Sequence, residues 1–203
     1  WRTIIAACQN KQVPDTWNVG DSCMMAFGKK NYQIDIIGKN HDDYADGSGK
    51  APLTFQMHTC YATEYKMNNS GSNTGGWADC LLRTTGGFKI IKSKMPAEVV
   101  AALKAVTKKT TAGGASSAID TTEDTLFLLS EIEVQGTRTY SYAGEGTQYA
   151  YYQTAANRKK NRAWYLRSPR ISSTTCFCRT GWSGEADWSV ASEVDGIAAA
   201  WCF

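Results

Sequence analysis

Apolar residues near the amino terminus recur at helical spacing. Trp1, Ile4, Ile5 and Cys8 form an i, i+3, i+4, i+7 stripe, which predicts an amphipathic helix that stops before Pro14 and Asp15. The period then changes. Tyr32, Ile34 and Ile36 alternate with Gln33 and Asp35 as in a strand, and Leu53–Met57 reads as a second strand. The polar stretch 40–50 between them, carrying Gly47 and Gly49, predicts a loop. Trp77, Cys80, Leu81 and Thr84 predict a short helix ending at Gly86 and Gly87. Pro96 opens a clearer helix. Val99, Ala102, Leu103 and Val106 share one of its faces, and Lys104, Lys108 and Lys109 lie toward its negative carboxyl end.

Residues 110–122 are rich in Ser, Thr, Ala and Gly and predict a connecting loop. Leu126–Leu129 is a short apolar run that continues as polar–apolar alternation through Glu131–Val134. The stretch 140–152 combines Gly144 and Gly146 with several tyrosines and reads as an irregular aromatic surface, while 158–162 reads as a solvated basic loop. Trp164–Pro169 is compact and apolar, Cys176–Cys178 is strand-like, and 181–195 is polar with two exposed-looking tryptophans. Ile197–Phe203 closes the chain as an apolar strand. Period two sets Ile197, Ala199, Trp201 and Phe203 against Ala198, Ala200 and Cys202. If this strand pairs with the Cys176–Cys178 segment, Cys178 and Cys202 become neighbours, as a disulfide or as contacting thiols. There is no internal repeat and no linker long enough to split the chain, so residues 1–203 read as a single domain.

Composition narrows the function classes. The chain has 203 residues, 42% of them apolar and 20% charged, enough to bury a core and too few charges for global disorder. A net charge of +3 is no argument for nucleic acid or an anionic membrane. The longest apolar run, Ile197–Phe203, falls far short of the roughly 20 residues a bilayer span requires, so no membrane insertion is expected. A start at Trp1 reads as the C-terminal part of a longer protein. The cysteines are odd in number, a poor disulfide framework, and Cys8 and Cys80 fall on apolar helix faces, so most read as reduced core thiols.

Reactive constellations are scarce. His41 and His58 are the only histidines. His41 stands beside Asp42 and Asp43, yet no Gly-x-Ser-x-Gly nucleophile motif accompanies it, and a turn histidine beside solvated carboxylates is the simpler reading. Asp42, Asp43, Asp46 and Gly47 partly resemble a calcium loop, but the spacing misses the ligand ladder and the closing Glu is absent. Cys176 and Cys178 lack a second paired ligand motif for zinc. The glycine-rich stretch 71–76 has neither a phosphate-loop Lys nor Rossmann spacing, and reads as a loop leading into a helix. The expectation is a chain with no catalytic residues, no metal site and no cofactor.

The C-terminal segment carries a resemblance. Trp164–Pro169 (WYLRSP), Phe177–Arg179, Gly196–Ala198 and Trp201–Phe203 are similar to blocks of a C-type-lectin-like family found widely in gut-bacterial prophages. Upstream, Trp17–Asp21, Ile37–Asp42, Phe127–Glu133 and Gly144–Gln148 match as well, so the likeness covers essentially the whole chain. It implies an α+β domain of C-type-lectin-like fold, with short antiparallel strands, two or three helices and extensive loops. Relatives with this fold include the variable proteins of diversity-generating retroelements, which mutate codons in a C-terminal region to alter what the protein binds; phage receptor-binding proteins are one example. The resemblance implies a receptor-recognition domain on a phage tail (virion) or cell surface, with a protein or glycan ligand on a bacterial cell surface and no nucleic-acid partner. A homo-oligomer formed through a preceding segment fits the same picture. Formylglycine-generating enzymes share the broad fold and give an oxidoreductase alternative, which would need Cys178 and Cys202 to take up copper; a purely structural fibre module is a third. The Glu-Pro-Asn and Trp-Asn-Asp motifs of calcium-dependent sugar binding are absent.

Between the apolar anchors Leu166, Phe177, Ile197 and Trp201 lie aromatic and charged residues scattered among Gly, Ser and Thr. Arg170, Arg179, Trp182, Glu185, Asp187, Trp188 and Glu193 are therefore expected to share one solvent-facing binding surface, since Trp and Arg dominate binding hot spots. The alternative is that Trp182 and Trp188 fold back onto the core.

Overall fold

The computed structural model describes residues 1–203. Helix α1 (Arg2–Gln9) forms where the apolar stripe predicts it, burying Ile5 and Cys8, with Trp1 at its N-cap. Strands β1 (Ser22–Phe27) and β2 (Lys30–Lys39) form a hairpin, and β3 (Leu53–Met57) continues the antiparallel sheet. The β2–β3 register shifts between Ile36 and Gly38. A Cβ on Gly38 would stand 2.8 Å from the Tyr149 ring, so the close approach of that tyrosine requires glycine there.

Residues 76–102 form four short helices: α2 (Gly76–Asp79), α3 (Leu81–Thr84), α4 (Gly87–Lys94) and α5 (Ala97–Ala102). Gly87, expected to end a helix, instead starts α4, where a Cβ would meet the Tyr65 ring at 2.7 Å. The Pro96 helix stops at Leu103, and Val106 begins β4 (Val106–Gly113), which pairs with β5 (Ser116–Asp124). Lys104, Lys108 and Lys109 therefore do not cap a helix, and the expected loop 110–122 is mostly hairpin. The cause lies in the inward positions of β4: Lys108 and Thr110 are buried there, so its inner face gives no apolar signal.

Helix α6 (Glu131–Gln135) replaces the expected strand-like alternation. Ser130 and Glu133 form a capping box: the Ser130 hydroxyl accepts from the Glu133 N–H at 3.3 Å, and the Glu133 carboxylate accepts from the Ser130 N–H at 3.0 Å. Two 3₁₀ turns (Ala150–Gln153 and Ala155–Arg158) lead into an antiparallel sheet of β6 (Trp164–Pro169), β7 (Cys176–Thr180) and β8 (Ala186–Val190), with β8 at an edge. The closing strand β9 (Ala200–Cys202) pairs with β3, giving the order β1-β2-β3-β9. Strands β7 and β9 thus belong to different sheets. The expected pairing of Cys178 with Cys202 does not form, and all the cysteines are free thiols.

The architecture is mixed α and β, with antiparallel sheets and few, short helical segments, six rather than two or three. No helix is long and apolar enough to cross a membrane. The terminal segment Ile197–Phe203 is buried throughout, so neither of its two faces meets solvent. Trp201 lies 6.4 Å from Phe55 and 6.3 Å from Phe27 between ring centroids, and Trp1 packs 5.6 Å from Phe55. The Tyr44 hydroxyl donates to the Phe203 carbonyl and fastens the end of the chain.

Trp201→Ala removes a fully buried indole at this junction and should destabilise the domain by about 3–5 kcal/mol. Chemical denaturation measures it. An unchanged midpoint would mean that the terminal strand contributes little to the core.

Candidate functional site

Two polar regions are candidates: a cleft over buried charges, and the surface of the β6–β8 sheet. The cleft has a volume of about 460 Å³ and no apolar lining; His41, Lys50, Lys109 and Thr147 contribute to its walls. Its floor is an ionic network. The Lys108 ammonium donates to the Asp42 carboxylate and to the Tyr149 hydroxyl at 2.9 Å, and lies 3.4 Å from Glu133 Oε1. Arg167 grips Glu133 with two nitrogens, at 2.5 and 2.9 Å. It also donates to the Leu128 carbonyl at 2.9 Å, the Thr110 hydroxyl at 2.9 Å and the Glu145 carbonyl at 2.8 Å.

Burial opposes the charge on Asp42, but the Lys108 ammonium and the Thr54 hydroxyl outweigh it and hold the carboxyl at about 2. Glu133 is likewise lowered, its burial overcome by Arg167 and Lys108. Glu145 goes the other way. Burial raises its pKa despite hydrogen bonds from Ser168 and from the Thr111 N–H and hydroxyl. Two anions face two cations, and their polar atoms are engaged within the protein. This floor is structural, and the WYLRSP block contributes to it through Arg167 and Ser168, both fully buried.

Several local expectations change here. Asp42 is buried rather than solvated, and His41 stacks on Tyr149 with centroids 3.8 Å apart, burial lowering its pKa. The three aspartates of the partial calcium loop diverge to separate lysines: Asp42 to Lys108, Asp43 to Lys50 at 2.9 Å, and Asp46 to Lys104 at 3.0 Å. His58 Nδ1 lies 2.7 Å from Asp35. The basic run is solvated except at one member: Lys159 is exposed and Arg158 and Arg162 are half-buried. Lys160 is buried, donates to the Met57 and His58 carbonyls at 2.8 and 3.0 Å, and is pushed down to about 8 by burial. The tyrosine stretch divides: Tyr149, Tyr151 and Tyr152 are buried, with hydroxyls on Asp42, Asp35 and Gln56, while Tyr140 and Tyr142 stay half-exposed.

The seven expected binding residues do not share one surface. Arg179 pairs with Asp187 across β7 and β8, and Cys178 pairs with Trp188, so period two directs Arg179 and Asp187 to one face of the sheet and Trp188 to the other. Arg179 is occupied by Asp187 at 2.7 Å and Asp195 at 2.9 Å, tying the edge strand to the segment after it. Glu185 shapes the β7–β8 turn, its carboxylate accepting from the Ser183 N–H at 3.0 Å and hydroxyl at 2.6 Å. Trp182 projects from that turn, 67% exposed, and Glu193 is exposed in the turn after β8. Trp188 is 37% exposed, and the Arg170 guanidinium lies 4.4 Å from its ring centroid.

Arg170 also lies 5.7 Å from the Tyr140 ring, and Ile171, 38% exposed, is joined to Tyr140 by a backbone hydrogen bond of 2.6 Å. Neither Tyr140 nor Ile171 was among the expected residues. Tyr140 is held by Glu131, a buried carboxylate that accepts from the N–H groups of Thr139, Tyr140 and Ser141. The Ser-x-x-Glu signature at Ser130 marks the helix start that orients Glu131, and it is readable in the sequence.

No three His, Cys, Asp or Glu side chains converge as metal ligands. A family model described as "Domain of unknown function (DUF6273)" matches residues 51–202, the greater part of the chain. No curated protein and no solved structure matches.

Glu133→Gln leaves the buried Arg167 without its paired carboxylate, while Lys108 keeps Asp42, and should cost about 3–5 kcal/mol of stability. Glu145→Gln should cost far less, because that carboxyl is already disfavoured as an anion. Equal losses in denaturant melts would contradict the assignment. Acid should act through Asp42: its lowered pKa contributes about 2–3 kcal/mol above pH 4, lost as pH falls toward 2. Glu133 acts in the same sense. Glu145, with its raised pKa, contributes below its unfolded value and loses that contribution as pH rises. Melting temperatures between pH 5 and 2 should therefore fall in the wild type and fall less in Asp42→Asn; identical profiles would exclude Asp42 as a source.

Proposed function

We propose that this chain, which belongs to the DUF6273 family, is a non-enzymatic ligand-binding domain of C-type-lectin-like fold. Its binding surface is formed by the C-terminal sheet, in the manner of the variable proteins of diversity-generating retroelements. The observation that carries this reading is a division of labour within one sheet. Leu166 and Phe177 in the sheet are fully buried, as are Ile197 and Trp201 in the segment that follows it, while Trp182 and Trp188 remain at the surface. Aromatic side chains held at a surface by a rigid scaffold are what an interface hot spot requires. The buried charges support the same reading, because Asp42, Lys108, Glu133 and Arg167 are consumed by one another. The oxidoreductase reading requires Cys178 and Cys202 to act together, and those residues belong to different sheets. The ligand is a protein or glycan on a bacterial cell surface, met by a phage tail or by a protein displayed on a cell.

Labelled domain titrated onto a panel of bacterial isolates should stain a subset of them. Trp188→Ala should weaken that staining by about 2 kcal/mol, the size of a true hot spot. Trp182→Ala should change stability by no more than about 0.5 kcal/mol, as for an exposed residue. Failure to stain any isolate, or staining indifferent to both substitutions, would count against the surface. The retroelement part has a separate test in the flanking DNA. A reverse transcriptase gene and a near-copy of the last codons, differing mainly at adenines, are expected; a locus with neither removes that part.

A further inference from the structure

We propose that Arg170, clamped between Tyr140 and Trp188, is a receptor for a carboxylate on an acidic segment of a protein partner. The proposal rests on the ligand-binding reading above and narrows it to one residue cluster and one ligand chemistry. Arg170 differs from the chain's other arginines. Arg83, Arg158, Arg162, Arg167 and Arg179 all engage a carboxylate, an amide or a carbonyl, and Arg2 and Arg138 are exposed. Arg170 is half-buried, yet its guanidinium makes no hydrogen bond or ion pair, and its Nε is buried without a partner. A guanidinium withdrawn from water normally finds an acceptor, since unpaired donors are costly to desolvate. Here the side chain is instead oriented by rings 4.4 and 5.7 Å from its central carbon. That arrangement fixes the plane of the fork and leaves its two terminal nitrogens unclaimed, the pair suited to end-on bidentate recognition of a carboxylate.

The surroundings favour a protein over a sugar. Ile171 adjoins the arginine, exposed, and Tyr142 lies two residues beyond Tyr140, its hydroxyl fixed to the Ala115 carbonyl at 2.9 Å. Aliphatic and aromatic surface around a single unpaired arginine is the composition of a protein interface core. Sugar hydroxyls also need acceptors, and among Tyr140, Arg170, Ile171 and Trp188 there is no side-chain carboxylate or amide to supply one. The supporting loops are firmly held. Glu131 anchors residues 139–141, and the Ser173 hydroxyl accepts from the N–H groups of Thr175 and Cys176, so the cluster is preorganised.

The test is selection from a random-peptide display library on the immobilised domain, followed by titration of the enriched peptides. Peptides carrying Asp or Glu beside apolar residues should be enriched. Their affinity should fall at least tenfold with Arg170→Gln, and equally when the peptide's acidic residue becomes its amide. Arg170→Lys should recover only part of it, and Ile90→Ala, exposed on α4 outside this surface, should leave it unchanged. The peptide substitution gives the same readout should Arg170→Gln fail to fold. Enrichment of neutral or basic peptides, acidic peptides that bind Arg170→Gln undiminished, or no enrichment at all overturns the proposal. Arg170-dependent binding to sialylated or uronate glycans on an array would overturn it in favour of a sugar ligand. Cell staining that depends on Trp182 but not on Arg170 would overturn it while leaving the binding-domain reading intact.

Discussion

The buried pair of Arg167 and Glu133 is the interaction on which the remaining structure depends. A guanidinium wholly removed from water is tolerable only when its donors meet acceptors, and Arg167 meets them in four separate parts of the chain. It leaves β6 and reaches Thr110 in β4, the Leu128 carbonyl before α6, Glu133 within α6 and the Glu145 carbonyl beyond it. Glu133 in turn caps its own helix and faces Lys108, whose ammonium carries the chain of charges to Asp42, and Asp42 accepts from Thr54 in β3. One connected set of charges therefore joins the three sheets. Removing Glu133 leaves Arg167 buried without its ion-pair partner.

That arrangement bears on function by using up the interior polarity. In the floor of the cleft, Asp42, Lys108, Glu133 and Arg167 are already committed to each other. The proposed binding surface lies elsewhere, on the β6–β8 sheet. There the scaffold holds Trp188 and Arg170 in place without neutralising the arginine. Under the proposed function, stability and recognition fall to different residues of neighbouring strands. Cys178 is buried opposite Trp188, and Arg179 locks the far face through Asp187 and Asp195.

The legible parts of the sequence were those with an apolar pattern. The α1 stripe, the β2 alternation and the Leu53–Met57 strand stand where periodicity places them, while the terminal strand forms only over Ala200–Cys202 and pairs with β3. The β4–β5 hairpin was not legible, because Lys108 occupies an inward position and a buried lysine erases the period-two signal. Pro96 and the apolar residues after it extended the helix of α5 into β4 for the same reason. In the site, alternation along β8 separates Asp187 from Trp188, a division that proximity in sequence conceals. Tyr140 joined the site through Glu131, a contact that no spacing rule connects to β8. The lysine at 160 shows the converse error, a basic run read as solvated when carbonyls were waiting for one of its members.

The central claim is that the charge network makes three sheets a single cooperative unit. Native-state hydrogen exchange tests it most directly at the amides of Met57, Tyr149 and Arg167, which donate to the carbonyls of Ala199, Glu133 and Leu129. The account predicts that all three exchange with one free energy, equal to that of global unfolding. Exchange at Arg167 through a smaller opening, while Met57 keeps full protection, would contradict it.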